Sequence, residues 1–465
     1  MHESHSFESK SFTSGDSGVQ QTERSVHLRA DLLALHDIVG RLIEYRSKRL
    51  SLISSENATS QLMQATYGLG LSDQYCSRLP SAASVVDNLT FSNVGPLDEV
   101  NRRTRELVLQ LFGAAECDVR LLSGLSGLTV LLFSLLRDGG VLFKVADQHG
   151  GHLSTRPIAA RLGLEIRDMR LADDYRLDID LFRRLYQARK PDLVFLDSSY
   201  VLFPYPVAEI REIVGPRVPI VYDASHVLAL VATDLFQQPF NEGADIVHST
   251  THKTFWGPQK SMILFRDTGC LVETVQGTVQ DLVSNTHLHH IFALYVALLE
   301  FQYFGRDYAL QLKKNAKAFA EAAASRGLSV VAERQGFTES NQVWIDLGSK
   351  EEATAQFRAI DKSNISLNII FLPQNRWGWR IGLNEFTRRG ATIGHVETLA
   401  ALLADAVQGR KSVEQMNIEC MYLRKDLDSA KYCFDSMQEA QRIVELIQAH
   451  GRGKEFLHDR AIQRI

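Results

Sequence analysis

The stretch Ser249-Thr250-Thr251-His252-Lys253-Thr254 decides the fold class of this sequence. Residues 245–247 before it are mainly apolar, which predicts a buried strand that ends where the hydroxyl groups begin. Burial at a strand end lowers the pKa of a lysine amine and makes it a nucleophile. Most lysines are exposed surface residues. The preceding strand, the hydroxyl and imidazole neighbours and the following Gly257-Pro258 turn make Lys253 the candidate nucleophile instead.

Other short apolar runs upstream and downstream also predict buried strands. They lie at residues 141–145, 193–196, 219–222 and 262–265. Buried strands alternating with helical stretches indicate an α/β fold with a mainly parallel sheet and helices on both faces. Ligands of such sheets bind at the carboxyl ends of the strands. The residues that follow strands are His149, Ser199, Asp223 and the pair His252-Lys253.

Asp223 ends the predicted strand before the one that leads to Lys253, within Val221-Tyr222-Asp223-Ala224-Ser225-His226. Pyridoxal 5'-phosphate forms a Schiff base with a lysine and needs a carboxylate facing its ring nitrogen, because the protonated ring withdraws electrons from the substrate. An Asp-x-x-His segment alone is also typical of a turn or a helix cap. Together with Lys253 one strand later, it predicts a pyridoxal-phosphate site.

The segment Ser123-Gly124-Leu125-Ser126-Gly127 opens an apolar helical stretch that continues to about residue 136. Phosphate groups bind at helix starts, where backbone N–H groups have no partner within the helix. We therefore expect Ser123, Gly124 and Ser126 to contact the cofactor's phosphate. A glycine turn before a helix also occurs without any ligand.

The segment His149-Gly150-Gly151-His152 follows another predicted strand. Its glycines permit close approach of the backbone to a ligand, and one histidine can stack on the cofactor ring. A metal site is the alternative for these histidines and for His287, His289 and His290. No Cys, Asp or Glu accompanies them at ligand spacing, so we expect no metal.

A different pattern begins after a long helical stretch at residues 298–326. Predicted strands at 328–331, 343–347 and 367–372, with helices between them, indicate a smaller α+β domain. It contains Gly378-Trp379-Arg380-Ile381-Gly382, and an arginine can bind a carboxylate through two hydrogen bonds. We predict an N-terminal arm and helix over 1–45, a cofactor-binding large domain over 46–310 and a C-terminal small domain over 311–465.

Composition restricts the classes of partner. The 465 residues are 45% hydrophobic and 23% charged, as in globular proteins of two or three domains. A net charge of −4 gives no reason to expect nucleic acid. The longest apolar run, residues 128–136, is too short for a membrane span, and the polar N-terminus lacks a signal-peptide core. Five cysteines without metal spacing favour a reducing cytosol, so we expect a cytoplasmic location.

Taken in order, these motifs resemble the serine hydroxymethyltransferase family of fold-type I pyridoxal-phosphate enzymes. The match runs from Leu52-Ile53-Ser54-Ser55-Glu56-Asn57, similar to the family's N-terminal signature, to beyond Arg389. The resemblance implies an aspartate aminotransferase-like large domain with a mainly parallel seven-stranded sheet. It also implies a homodimer with shared active sites and small-molecule amino-acid substrates.

The resemblance also implies a role for individual residues. Those implied to be catalytic are Lys253, Asp223, His149 and His226, with His149 stacked on the ring. Those implied to bind the substrate are Ser55, Tyr75 and Arg380. Those implied to bind the cofactor are Ser123, Gly124, Ser126, His149, Ser199, Asp223, His226, Thr250, His252 and Lys253, joined from a neighbouring subunit by Tyr75, Ser284 and Asn285.

The chain departs from hydroxymethyltransferases after Tyr75. Those enzymes continue with Glu-Gly-Tyr-Pro-Gly, whereas Ser77 stands here at the position of the glutamate that handles protons in folate-dependent transfer. Residues 243–248, 257–260, 304–309 and 336–338 are similar to the L-threonine transaldolases of natural-product pathways. The reaction implied is retro-aldol release of acetaldehyde, followed by attack of the glycyl carbanion on a second aldehyde to give a β-hydroxy-α-amino acid.

Other reactions remain open on the same scaffold, because the outcome depends on which bond is aligned with the ring. The alternatives are a serine/glycine hydroxymethyltransferase, a threonine aldolase and an oxidative decarboxylase of a β-hydroxy-amino acid. A non-catalytic protein of this fold is a further alternative, but Lys253, Asp223, His149 and Arg380 argue against it.

Overall fold

The computed structural model describes residues 17–74 and 95–451. The chain divides into two compact units, Met1–Arg49 and Leu50–Ile465. The described part of the first unit is one long helix, α1 (Ser17–Lys48). The predicted domain boundaries at 45 and 310 both fall inside helices, and the division into three domains stays a prediction. Within the described ranges, no helix is long and apolar enough to cross a bilayer.

The second unit contains the remaining helices and all strands of the described chain. The helices are α2 (Gln61–Ala65), α3 (Gly95–Phe112), α4 (Gly124–Leu135), α5 (Thr155–Arg161), α6 (Ile179–Ala188), α7 (Val207–Val214), α8 (Leu228–Val231), α9 (Cys270–Leu282), α10 (Leu288–Ser325), α11 (Lys350–Lys362), α12 (Asn384–Arg388), α13 (Ile393–Val407), α14 (Val413–Arg424) and α15 (Gln438–Gly451). The strands are β1 (Leu50–Ser51), β2 (Glu116–Asp118), β3 (Val141–Val145), β4 (Glu165–Met169), β5 (Leu193–Leu196), β6 (Ile220–Asp223), β7 (Ile246–Thr250), β8 (Ser261–Phe265), β9 (Gln342–Gly348), β10 (Ile365–Ser366), β11 (Asn368–Leu372) and β12 (Arg376–Gly382).

The largest sheet has seven strands in the order β2-β8-β7-β6-β5-β3-β4. The pairs β3–β4, β3–β5, β5–β6 and β6–β7 are parallel, and β8 runs antiparallel to both of its neighbours. The predicted α/β class with a mainly parallel seven-stranded sheet is therefore confirmed. The apolar runs at 141–145 and 193–196 coincide with β3 and β5.

Alternate residues of the central strands pack into two hydrophobic clusters, one on each face of the sheet. Val221 and Ile246 belong to the smaller cluster, which also holds buried side chains of α4 and α9. Tyr222 and Val247 belong to the larger cluster, which includes much of α10. The side chain at position 223 therefore lies on the face covered by α4.

Smaller sheets complete the unit. Strands β11, β12 and β9 form an antiparallel sheet, and β1 pairs in parallel with β10. The strand predicted at 328–331 is wrong, because Val330 forms only an isolated bridge with Ile345 before the chain turns. Ala332, with a φ of 59°, lies in the left-handed region that ends an extended segment. The predicted long helix is confirmed but begins earlier, at Leu288.

Candidate active site

Lys253 lies in the loop that follows β7. Its Nζ lies 3.4 Å from Nε2 of His226. Burial lowers the pKa of Lys253 to about 8, with Asp223 opposing the change and Arg380 adding to it. At pH 7, roughly a tenth of such an amine is neutral, so Lys253 can act as a nucleophile.

The backbone around Lys253 is held by Asn57. Its Nδ2 donates a hydrogen bond to the carbonyl oxygen of Lys253 at 2.7 Å and lies 3.1 Å from that of Thr254. The same nitrogen lies 3.2 Å from Oη of the buried Tyr308. The sequence predicts no separate role for Asn57, because its contact with Lys253 spans 196 positions and leaves no local pattern.

Asp223, the last residue of β6, is buried and doubly hydrogen-bonded. Its Oδ1 accepts the N–H of Ser225 at 2.8 Å, and its Oδ2 lies 3.1 Å from Nδ1 of His248. Burial alone would raise the pKa of Asp223. The charge and hydrogen bond of His248, together with Lys253, instead hold that pKa well below its usual range. Asp223 can therefore stay ionised while it faces a protonated ring nitrogen.

His226 is buried beside Lys253. Burial, followed by the charges of Lys253 and Arg380, lowers the pKa of His226 well below its usual range. Its Nδ1 is buried without a hydrogen-bond partner among the described atoms. A neutral imidazole nitrogen beside a lysine amine can accept a hydrogen bond from it.

The two histidines of the 149–152 segment differ in their surroundings. Nδ1 of His149 accepts the N–H of Leu171 at 3.1 Å. Burial lowers the pKa of His149, with Arg170 adding to the change and Asp168 opposing it. Burial lowers the pKa of His152, which Asp223 opposes and Lys253 reinforces. His152 is therefore the histidine whose surroundings suit the ring-stacking role predicted for His149.

The glycines between these histidines serve packing within the protein. A Cβ at Gly150 would collide with the side chain of Tyr200, and one at Gly151 with the carbonyl oxygen of Val145. Tyr200 and Val145, rather than a ligand, therefore make the close approach to these two glycines. Ser199 continues this contact, since its N–H donates to the carbonyl oxygen of Gly150 at 2.7 Å.

The start of α4 presents the predicted phosphate site. The hydroxyls of Ser123 and Ser126 cap the helix, each accepting the other's backbone N–H, at 3.1 and 2.9 Å. A Cβ at Gly124 would collide with Cγ2 of Thr250. Thr250 Oγ1 and His252 Nδ1 are buried without hydrogen-bond partners among the described atoms. Unsatisfied polar groups of this kind suit a phosphate, because burying them without a partner is unfavourable.

Arg380 lies on β12 and is buried. Its Nη1 donates to the carbonyl oxygen of Ser199 at 3.0 Å, and its Nη2 lies 3.2 Å from Oδ1 of Asn368. Its buried Nε has no partner among the described atoms. Burial lowers the pKa of Arg380 to about 10, which leaves it cationic at neutral pH. The free donor can bind a substrate carboxylate.

The remaining predicted residues differ in their exposure. Ser55 is half-buried and Ser284 is exposed. Nδ2 of Asn285 donates to the carbonyl oxygen of Gln74 at 3.1 Å. Tyr75 and Ser77 lie outside the described residues. The contribution of Tyr75, Ser284 and Asn285 to a neighbouring subunit stays a prediction.

Within the described ranges, Glu300, Cys433 and Asp435 form the one group of acidic, Cys or His side chains spaced to hold a metal ion. Glu300 pairs with Arg388 at 3.0 Å. Asp435 accepts the backbone N–H groups of Gln61 and Leu62 at 2.8 and 3.1 Å. These bonds hold Asp435 and Oε2 of Glu300 in structural contacts, while Oε1 of Glu300 is buried without a partner among the described atoms.

The described site fits pyridoxal phosphate. It combines a nucleophilic amine, an ionised carboxylate, unsatisfied groups at a helix start and an arginine with a free donor. The sequence matches the family described as serine hydroxymethyltransferase over residues 30–403.

Two individual relatives and one solved structure are also similar to this chain. The serine hydroxymethyltransferase of Methanopyrus kandleri is 35% identical, over 84% of this chain and 93% of that protein. The fluorothreonine transaldolase of Streptantibioticus cattleyicolor is 32% identical, over 85% of this chain and 63% of that protein. The L-threonine transaldolase of Pseudomonas fluorescens, solved in its internal aldimine state, has a TM-score of 0.85 and 27% identity, over 92% of this chain and 99% of that one.

Proposed function

This chain belongs to the serine hydroxymethyltransferase family, and from that premise we propose that it is an L-threonine transaldolase. The family makes it a transferase that uses pyridoxal phosphate. In the proposed reaction, threonine loses acetaldehyde and the remaining glycyl unit joins a second aldehyde. The product is a β-hydroxy-α-amino acid, and no other reactant is consumed.

The structural likeness to a solved L-threonine transaldolase over 92% of this chain carries the proposal. The likeness to fluorothreonine transaldolase supports it independently. Ser77, in place of the proton-handling glutamate of hydroxymethyltransferases, also suits an acceptor that arrives as a free aldehyde.

We assign the cofactor to Lys253 and Asp223, with its phosphate at the start of α4. When bound, pyridoxal phosphate withdraws electrons from the substrate's α-carbon, so that the bond to the β-carbon can break. His226 Nε2 lies 3.4 Å from the Lys253 amine and can accept a hydrogen bond from it, which orients the amine. Asp223, kept ionised by His248, keeps a proton on the ring nitrogen.

Arg380 orients the substrate. We propose that its free Nε donor binds the α-carboxylate, because that nitrogen is buried without a protein partner among the described atoms. Fixing the carboxylate fixes which α-carbon bond stands perpendicular to the ring. His152 stacks on the ring in this proposal, in the role first assigned to His149.

A hydroxymethyltransferase is the second candidate, because the serine hydroxymethyltransferase of Methanopyrus kandleri is 35% identical to this chain. A threonine aldolase or an oxidative decarboxylase would use the same groups. These reactions differ in their products. A transaldolase needs an acceptor aldehyde, an aldolase releases glycine without one, and a hydroxymethyltransferase converts serine with tetrahydrofolate.

The test is product analysis by mass spectrometry with the reconstituted protein. Threonine and benzaldehyde, as the acceptor probe, should give acetaldehyde and a new β-hydroxy-amino acid in equal amounts. The variant Lys253→Ala should give neither product. If serine and tetrahydrofolate react while threonine gives no new amino acid, the transaldolase proposal is wrong.

We further propose a cytoplasmic homodimer. Composition supports the location, and the resemblance of Tyr75, Ser284 and Asn285 to residues shared across a family dimer supports the assembly.

A further inference from the structure

His248 contacts the carboxylate of Asp223 through one ring nitrogen and the hydroxyl of Ser261 through the other. It lies within β7 as the register partner of Asp223 on the parallel strand β6. The two side chains share one face of the sheet, so His248 Nδ1 comes within 3.1 Å of Asp223 Oδ2. Both residues are buried, which strengthens a charge-assisted hydrogen bond between them.

The other ring nitrogen of His248 is also held. Its Nε2 lies 3.0 Å from Oγ of Ser261, which is fully buried at the start of β8. Helix α4 leaves room for this contact only because residue 127 is glycine. A Cβ at Gly127 would lie 2.5 Å from His248 Nε2 and 2.8 Å from Ser261 Oγ. Helix α4 and strands β7 and β8 together form the space that the His248 imidazole occupies.

Burying a histidine–carboxylate pair is unfavourable unless the pair is well hydrogen-bonded, and apolar residues would fill the space at less cost. Ile246 and Val247, which precede it in β7, are apolar, and the strand becomes polar at His248, Ser249 and Thr250. Of these three polar side chains, that of His248 lies within hydrogen-bond distance of the carboxylate predicted to face the cofactor ring. This placement indicates a role in the site rather than in the core.

We propose that His248 is a positioning residue, which fixes the Asp223 carboxylate beneath the ring nitrogen of pyridoxal phosphate. His248 donates to one carboxylate oxygen and the backbone N–H of Ser225 donates to the other, so the group cannot rotate. Each oxygen keeps a free lone pair, and one of them can accept the ring N–H. The inference depends on the cofactor and not on the choice of aldehyde.

The test measures cofactor affinity without substrate. Apo protein is titrated with pyridoxal phosphate and with an analogue that has carbon in place of the ring nitrogen. The variants are His248→Phe, which keeps a ring but no donor, and His248→Asn, which keeps a donor near Nδ1. Ser249→Ala, on the same strand, is the matched control.

The His248→Phe variant should bind pyridoxal phosphate about tenfold more weakly, the scale of one lost charge-assisted bond. It should bind the carbon analogue as the wild type does, since that analogue has no ring N–H for Asp223 to accept. His248→Asn should recover most of the affinity, and Ser249→Ala should change nothing. The absorption spectrum of the bound cofactor should shift in His248→Phe and return in His248→Asn.

Equal weakening for both compounds would overturn the proposal, because a general loss of structure does not distinguish them. Unchanged affinity for pyridoxal phosphate in His248→Phe would overturn it as well. If His248→Phe does not fold, Ser261→Ala replaces it. This variant frees the far nitrogen of the imidazole and should weaken only the natural cofactor, by a smaller factor.

Discussion

At the scale of single residues, a substitution of Arg380 tests substrate binding separately from cofactor binding. Arg380→Lys keeps the positive charge but removes the Nε donor that we propose to bind the substrate carboxylate. We expect KM for the amino acid to rise by about tenfold to a hundredfold, with unchanged affinity for pyridoxal phosphate. Arg376→Lys is the matched control, since Arg376 lies on the same strand in an exposed pair with Asp346. Equal effects of both substitutions would contradict the assignment.

Lys253 makes a prediction about pH. Its pKa is lowered from 10.5 to about 8, so its neutral, reactive form increases as pH rises through 8. The rate at which apo protein captures pyridoxal phosphate, followed by absorbance, should therefore rise between pH 7 and 9 and then level off. A rise that continues towards pH 10.5 would mean that the reacting amine is exposed.

The sequence predicts Lys253 and Asp223 as site residues because both follow apolar runs, and the carboxyl ends of parallel strands are where such sheets bind ligands. It missed His248, which lies inside a strand and whose partner is set by the pairing of β6 with β7. It also favoured His149 over His152. Asp223 and Lys253 act on the pKa of His152, whereas Arg170 and Asp168 act on that of His149, and this difference leaves no local pattern.

At the scale of elements, the contact between α4 and β7 depends on one glycine. Gly127→Ala places a methyl group 2.5 Å from His248 Nε2, which displaces the imidazole. We expect unfolding free energy to fall by about 1–3 kcal/mol and cofactor affinity to fall with it. Both can be measured by urea denaturation and titration with pyridoxal phosphate.

Gly277→Ala on α9 is the control for this substitution, because a Cβ there meets nothing within 4 Å. Alanine favours helices by about 0.5–1 kcal/mol over glycine, so this variant should be slightly more stable. If Gly127→Ala were also neutral or stabilising, the close contact described for α4 would be wrong.

Elements with a clear apolar run were predictable, and those without one were not. β3 and β5 are fully buried, and their limits coincide with the apolar runs. β4, Glu165–Met169, was missed because it lies at the sheet edge with a polar, half-exposed face. β2 was missed because its three residues, Glu116–Asp118, include two acids.

At the scale of the whole molecule, a shared active site predicts complementation between inactive variants. Lys253→Ala and Tyr75→Ala homodimers should each be nearly inactive. If Tyr75 enters the neighbouring site, mixing and reassociation should restore roughly a quarter of wild-type activity, because half of the dimers are hybrids with one intact site. No recovery in hybrids verified by mass would contradict shared sites.

The fold class was predictable because strand–helix alternation depends on local patterns. The homodimer follows only from the family resemblance and stays a prediction, because subunit contacts join surfaces that no local pattern identifies. The limits of the domains were equally difficult, since α10 runs unbroken through residue 310 and leaves no composition change there.

The central claim is that the amine of Lys253 holds the cofactor. Borohydride reduction of the holoenzyme, followed by peptide mass spectrometry, tests it directly. The buried Lys260 is the internal competitor, since burial lowers its pKa to about 7. Its Nζ, however, is bound to the carbonyl oxygens of Arg120 and Thr286, each at 3.2 Å. We predict a pyridoxyl group on Lys253 alone, and a label on Lys260 or on no lysine would contradict the account.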